Sequence, residues 1–281
     1  MSVVVAHRLD DALAELRETG TVVIAGGTDL LVELNFGRRR VSRVVTIDRL
    51  AELRQSESGA RTRVGAGVTY TQLLDDGASS VAMREAARTV GSPQIRNAGT
   101  IGGNLATSSP AGDTLPVLAA LDATVVLRSA TGERRVSFAE FMTGPKKNVK
   151  RPDELVVAAE WDDAGPAQTF LKVGTRNAMV IAVASLALVI DRARRRVGIA
   201  LGSCGPTIIR AGDAERFVAG LLESSGWERP LQLSDGARVE VGRLVAAAAR
   251  PIDDVRGTAA YRRHVLSVIA GRALARVGVI A

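Results

Sequence analysis

Ala25-Gly26-Gly27-Thr28-Asp29 and Thr100-Ile101-Gly102-Gly103-Asn104 are the stretches on which the reading of this chain turns. Paired glycines let consecutive N–H groups turn toward one point with no Cβ in the way, and such a concavity suits a phosphate oxygen. The first pair follows an apolar run, Thr21 to Ala25, and precedes Asp29-Leu30-Leu31-Val32, which predicts a helix. An anion at that helix start would meet the positive end of the dipole. One glycine pair alone is ordinarily a tight strand-to-helix turn. Two pairs, about seventy-five residues apart and each flanked by threonine and polar residues, predict two cradles for one diphosphate. No G-x-G-x-x-G opens a βαβ unit and no G-x-x-x-x-G-K-[ST] occurs, which argues against Rossmann and P-loop folds.

With 281 residues, 46% of them hydrophobic, the chain has length enough for two domains and a large core. The longest apolar run, Ala178 to Ile190, is too short to span a bilayer and reads as core. The first residues lack a basic segment and a full apolar segment, so no signal peptide is expected. A single cysteine, Cys204, excludes an internal disulfide framework and, with no export signal, predicts a cytoplasmic location.

A net charge of +7 and a pI near 10.4 raise the possibility of a nucleic-acid binder or basic scaffold. The distribution argues otherwise. Of the 37 basic residues only Lys146, Lys147, Lys150 and Lys172 are lysines, and the arginines are scattered among acids. The clusters Arg38-Arg39-Arg40 and Arg192 to Arg196 read as solvated turns, or second as a contact surface for an acidic partner subunit, and aromatics, at 3%, leave little to stack on bases.

Hydrophobic periodicity predicts a helix on Leu9, Ala12, Leu13 and Leu16, strands at Val22 to Ile24 and Val44 to Ile47, and a short helix from Leu30 to Leu34. Beyond the polar break at Gln55 to Ala60 come a strand from Arg61 and helices at Tyr70 to Leu74, Ser80 to Val90 and Asp113 to Leu121. Strands follow at Thr124 to Arg128, Arg134 to Ser137 and Leu155 to Trp161. Gly165-Pro166 is the predicted boundary, dividing a first domain of residues 1–165, with lobes of about 1–55 and 56–165, from a second of 166–281. The second reads as an antiparallel sheet (Thr169 to Gly174, Val183 to Ile190, Arg196 to Ser203) under helices at Asp213 to Leu222, Arg238 to Ala249 and Thr258 to Val277.

His7 and His264 are the only histidines and no C-x-x-C exists, so a multi-histidine metal site and an iron–sulfur cluster are excluded. Cys204, after an apolar strand, reads as a small core residue rather than a nucleophile. What remains is binding chemistry, as expected where reactivity belongs to a bound cofactor.

The two cradles, together with Ser108-Ser109-Pro110-Ala111-Gly112-Asp113, resemble the FAD-binding medium subunits of the molybdenum hydroxylases, the family of xanthine dehydrogenase and carbon monoxide dehydrogenase. The likeness continues through Ser92-Pro93-Gln94-Ile95-Arg96-Asn97, Pro152-Asp153-Glu154-Leu155, Phe170-Leu171-Lys172-Val173 and Ile252 to Gly257, and so covers nearly the whole chain. The resemblance implies an α+β fold: a two-lobed FAD-binding domain of the vanillyl-alcohol-oxidase (PCMH) type, then a smaller C-terminal domain of the carbon monoxide dehydrogenase flavoprotein type. It implies that Ala25 to Asp29 and Gly102 to Asn104 hold the FAD pyrophosphate through N–H groups, aided by the Thr28 and Thr100 hydroxyls and the Asn104 side chain. Ile101 would lie against the isoalloxazine, and Asp113 would bind the adenosine part, a helix cap being its ordinary alternative. Lys172 aligns with a lysine near the flavin ring, against a plain strand-edge lysine; Val156 and Val90 align with apolar contacts, against plain core.

Thr28-Asp29, where some members carry His-Ser, places the chain nearer the xanthine dehydrogenase branch. The implied role is an electron-transfer subunit. A molybdenum cofactor on a large subunit and [2Fe–2S] clusters on a small one would feed electrons to FAD here, and NAD+ or another acceptor would take them. A self-contained flavin oxidase of the same fold is the rival. With neither histidine in a cradle and Cys204 in the second domain, non-covalent FAD is expected.

Overall fold

The computed structural model describes residues 1–77, 79–230 and 233–278. Its first sheet is parallel, in the order β1 (Ser2–Val5), β3 (Arg43–Thr46), β2 (Thr21–Ile24), with α1 (Leu9–Glu15) and α2 (Leu30–Asn35) in the crossovers that parallel pairing requires. The predicted helical face of α1 is the buried one: Leu9, Ala12 and Leu13 pack with Val45 and Ile47. Val126, Leu155 and Val157 of the next sheet join that cluster, which seats the first lobe on the second.

The second sheet is antiparallel, in the order β4 (Ser56–Glu57), β5 (Arg61–Gly65), β10 (Leu155–Asp162), β6 (Thr124–Ser129), β7 (Gly132–Ser137). Strand β10 is apolar on both faces, with Leu155 and Val157 toward the first lobe and Val156, Ala159 and Trp161 in the core beneath the helices. Those helices are α3 (Tyr70–Asp75), α4 (Val81–Thr89), α5 (Pro93–Ala98), α6 (Ile101–Thr107) and α7 (Thr114–Ala120). A one-turn helix, α8 (Phe138–Phe141), leads into the hairpin β8 (Met142–Gly144) and β9 (Lys147–Asn148).

A third sheet, antiparallel in the order β11 (Gln168–Val173), β12 (Ala184–Asp191), β13 (Arg196–Gly202), β14 (Ile209–Arg210), carries α9 (Gly212–Ser225), α10 (Asp235–Ala248) and α11 (Ala259–Gly278). Leu186, Leu188 and Ile190 enter the core under those helices. Ala187 and Val189 enter the core shared with α4 and α7. Burial on both faces is why Val183 to Ile190 is continuously apolar rather than alternating.

Periodicity placed most of the longer elements, but it missed β1, α5 and α6 as well as the short β4, α8, β8, β9 and β14. Of these α6 matters most, because the second glycine stretch is the first turn of a helix. Glycine disfavours helix by ~1 kcal/mol relative to alanine, so a Gly-Gly pair hides it. The Thr100 side chain compensates as N-cap, accepting the Gly103 N–H at 3.0 Å.

Helix α4 ties the third sheet to the second. Glu85 Oε2 accepts the Thr169 hydroxyl at 2.8 Å and the Phe170 N–H at 2.7 Å, while its Oε1 lies 2.7 Å from Arg276 Nη2. One turn on, Lys172 Nζ donates to the Thr89 carbonyl at 3.0 Å and to Asp113 Oδ2 at 2.5 Å. Both partners are buried, with side-chain exposures of 7% and 6%. Burial pushes the Asp113 carboxyl up to about 6 against the opposing pull of Lys172 and the Thr89 hydroxyl. A buried pair of this kind is far costlier to break than to replace. Lys172→Met is therefore expected to lower unfolding free energy by about 3–5 kcal/mol, and Asp113→Leu/Lys172→Met to recover most of it. Urea denaturation measures both; equal losses in the single and double variants would contradict the pairing.

Candidate functional site

A cavity of about 690 Å³ opens between the first lobe and the helices on the second sheet, within the ~300–1,000 Å³ usual for ligand pockets. Ala25, Gly26, Gly27, Thr28 and Asp29 line it from the first lobe. Thr100, Gly102, Gly103 and Asn104 line it from α6, and Val156 from β10. The two glycine stretches thus meet in one cavity.

They do not contribute alike. Among the described residues, the N–H groups of Ala25, Gly26, Gly27, Thr28 and Asp29 have no acceptor in the protein. Unpaired backbone donors are rare unless water or a ligand takes them. Gly27 has φ +70°, a region that a glycine reaches without strain. Gly26 has a different reason to lack a side chain: a Cβ there would stand 1.7 Å from the Ala98 carbonyl oxygen. The chain turns sharply out of β2 with its donors uncommitted.

The α6 stretch departs from expectation. Its donors are spent: the Ile101 N–H goes to the Val68 carbonyl at 3.1 Å and the Gly102 N–H to Ala66 at 2.9 Å. Gly103 is capped by Thr100, and the Asn104 N–H bonds the Thr100 carbonyl at 3.0 Å. Gly102 is needed for packing, since a Cβ would meet that of Ala66 at 2.4 Å. What α6 offers the cavity is a smooth wall and the Asn104 side chain, whose Oδ1 accepts the Thr114 hydroxyl at 2.6 Å and whose Nδ2 has no acceptor among the described residues.

Ile101, Asp113 and Lys172 are not brought to the cavity wall. Ile101 is fully buried in the core, on the side of α6 away from Gly103. Asp113 precedes α7 but makes no capping bond; its Oδ2 is held by Lys172 and Thr89, and among the described residues its buried Oδ1 has no partner. Lys172 is no strand-edge lysine reaching for water, since its ammonium is enclosed in the same pair. Val90 packs, partly buried, on the core.

Other residues at the cavity escaped sequence reasoning. Thr21 lines it with a buried Oγ1 that has no partner among the described residues. Arg39 and Arg40, read as a solvated turn, line it too, as do Lys146 and Lys150. Lys150 Nζ donates to the carbonyls of Arg151 (2.9 Å) and Glu154 (3.0 Å), and burial lowers its pKa. Tyr70 completes the apolar wall, its phenol held neutral above the ordinary range by burial and by the charges of Asp113 and Asp29. The available signal was the excess of cations over acids in these segments. Its meaning depended on a fold that brings residues 39–40 and 146–150 to one rim.

Unpaired donors, cations at the rim and an apolar flank make a site for an elongated anion with an apolar part. Residues 1–160 match the family model described as the FAD binding domain in molybdopterin dehydrogenase. The chain belongs to that family. Residues 169–277 match the CO dehydrogenase flavoprotein C-terminal domain. The chain is 39% identical over 180 residues to the nicotinate dehydrogenase FAD-subunit of Eubacterium barkeri, 61% of either protein. It is 31% identical over 284 residues to the glyceraldehyde dehydrogenase medium chain of Sulfolobus acidocaldarius, 98% of each. Among solved structures, reconstituted CO dehydrogenase from Oligotropha carboxidovorans superposes with a TM-score of 0.90 at 24% identity, covering 100% of this chain and 98% of that one, which shows the shared fold. The chain is accordingly a component of an FAD-dependent oxidoreductase family.

The site fits that cofactor on its own evidence, through the free donors at Ala25 to Asp29 and the orphaned Thr21 hydroxyl. Two glycine variants separate fold from site. A Cβ at Gly103 would meet only Thr100 Oγ1, at 3.2 Å, and otherwise open space at the cavity. Gly103→Val is expected to keep the fold, with a Tm within a few degrees of wild type, and to lose bound flavin. Gly26→Val should damage both, since its side chain has nowhere to go. Full flavin occupancy in purified, folded Gly103→Val would show that the cofactor lies elsewhere.

Proposed function

We propose that this chain is the FAD subunit of a molybdenum hydroxylase most like xanthine dehydrogenase. Bound FAD would supply two-electron acceptance and release, taking electrons from the [2Fe–2S] clusters of a small partner subunit and yielding them to NAD+ or another acceptor. The clusters in turn would be fed by the molybdenum cofactor of a large subunit. The observation that carries the proposal is the run of unpaired donors, Ala25 to Asp29, facing a cavity of cofactor size in a chain of this family. In this reading those N–H groups hold the diphosphate, the Thr28 hydroxyl and Asn104 Nδ2 add donors, and Val156 and Tyr70 exclude water from its apolar part. One cysteine and two histidines are too few to ligate [2Fe–2S] clusters, which supports their lying on a partner. The Thr28-Asp29 ending of the first cradle supports the xanthine dehydrogenase branch, and the lone, reduced Cys204 accords with a cytoplasmic location.

The flavin is held without a covalent bond in this account. His7 and His264 are exposed and lie outside the cavity wall, and Cys204 is buried under the third sheet, where burial pushes its thiol up to about 12. Acid precipitation is expected to release all the flavin, and yellow colour on the washed pellet would refute it. The subunit role has its own test. The isolated flavoprotein should be reduced by dithionite yet be inert toward purines and other hydroxylase substrates. Adding matching iron–sulfur and molybdenum subunits should make its flavin bleach with substrate. Stoichiometric reduction of the isolated chain by an organic substrate would favour a self-contained oxidase instead.

A further inference from the structure

Helix α2 borders the cavity through Leu30 and Glu33, and it buries none of its residues. Leu31 and Val32 are 45% and 46% exposed, and Phe36 at its end is 70% exposed. With Leu30, Glu33 and Leu34 only half-buried, a six-residue helix is weakly held by its own packing, from which most helical stability comes. Among the described residues, the side-chain bonds that fix this segment to the second lobe are polar. Glu33 Oε1 accepts from Lys146 Nζ at 2.8 Å, and Asp29 Oδ2, immediately before the helix, accepts from the Thr107 hydroxyl at 3.3 Å. Arg39 Nη1 stands 3.8 Å from Glu33 Oε2. The Lys146 ammonium, more than the arginines, holds the Glu33 carboxyl below the usual carboxylate range.

The two ends of the Glu33–Lys146 contact differ in firmness. Lys146, at φ +56°, is the tip of the β8–β9 hairpin, and its N–H donates to the Ser108 carbonyl at 3.1 Å. Asn148 Nδ2 fastens the same hairpin to the Ala106 carbonyl at 3.0 Å and to Ser108 Oγ at 2.9 Å. The lysine is thus mounted on the end of α6, the helix whose first turn forms the opposite cavity wall. Its partner sits on a helix with no buried residue. Glu33, Arg39 and Lys146 line the cavity while keeping side-chain exposures of 28%, 48% and 58%, which puts them at its rim.

We propose that Lys146 and Glu33 are positioning residues that tie α2 down over the bound cofactor, so that flavin leaves when this ion pair opens. The inference rests on the FAD reading above. Simple electrostatics and the tie predict opposite signs at Glu33. A carboxylate at the rim repels a diphosphate, so as a bystander its removal would slow flavin loss. As half of a tie its removal speeds it.

The measurement is the release rate of FAD from the full chain, followed by flavin fluorescence after dilution into excess apoprotein trap. Glu33→Gln and Lys146→Met are each expected to accelerate release about threefold to fivefold, the range an exposed ion pair can supply, and the double variant to be no faster than either. High salt should accelerate wild-type release toward the variants' rate and change Glu33→Gln little. Slower or unchanged release from Glu33→Gln, or multiplicative effects in the double variant, would overturn the tie while leaving the cofactor assignment intact. A folded chain that takes up no FAD would overturn the assignment and the tie together.

Discussion

Everything at the site depends on one backbone-to-backbone approach. Gly26 stands so close to the Ala98 carbonyl that a single added carbon would overlap it. That contact brings the turn after β2 against the segment joining α5 to α6, and so brings the first lobe's turn to the second lobe's helix wall. It also explains the free donors. A chain that must pass over another backbone at this distance and then reverse through a left-handed glycine has no strand or helix partner for its N–H groups. The uncommitted donors are a consequence of how the lobes join, and the cavity is the space left beside the joint.

The third sheet contributes differently. It is buried on both faces, and its strand β11 is fastened to α4 through Glu85, Thr89, Asp113 and Lys172. Among the described residues Thr89, Asp113 and Lys172 bond one another, except that Asp113 Oδ1 is buried without a partner. They sit close behind the cavity: Asp113 follows Gly112, which packs against the Asn104 side chain, and Asn104 lines the cavity. The carboxylate that sequence resemblance directs toward the cofactor thus stands, in this structure, one layer behind the cavity wall. It ties the residue before α7 to β11 and α4 through Lys172 and Thr89.

Much of the fold was legible because its elements obey simple periods. The stripe Leu9, Ala12, Leu13 and the unbroken apolar run of β12 each admit one reading once length is considered. The first glycine stretch was legible for the same reason, since a strand, two glycines and a helix start leave little choice. The second was legible as a site but not as a helix, because two glycines lower helix propensity and the Thr100 cap shows only in three dimensions. Charge was the least legible. Arg39, Arg40, Lys146 and Lys150 are far apart in sequence and gather at one rim, while Lys172, which looks equally available, is enclosed by a carboxylate. Local pattern carries the packing period of an element but not which distant charge it will face.

The central claim is that the N–H groups of Ala25 to Asp29, and not those of Ile101 to Asn104, receive the cofactor's diphosphate. Amide hydrogen exchange resolved to single residues, compared between the chain with FAD and with riboflavin, which lacks the diphosphate, tests it directly. The account predicts that FAD slows exchange across Ala25 to Asp29, that riboflavin does not, and that the internally bonded amides of Gly102 and Gly103 change little with either. Protection by FAD centred on residues 101–104, with residues 25–29 exchanging as in the free chain, would contradict it.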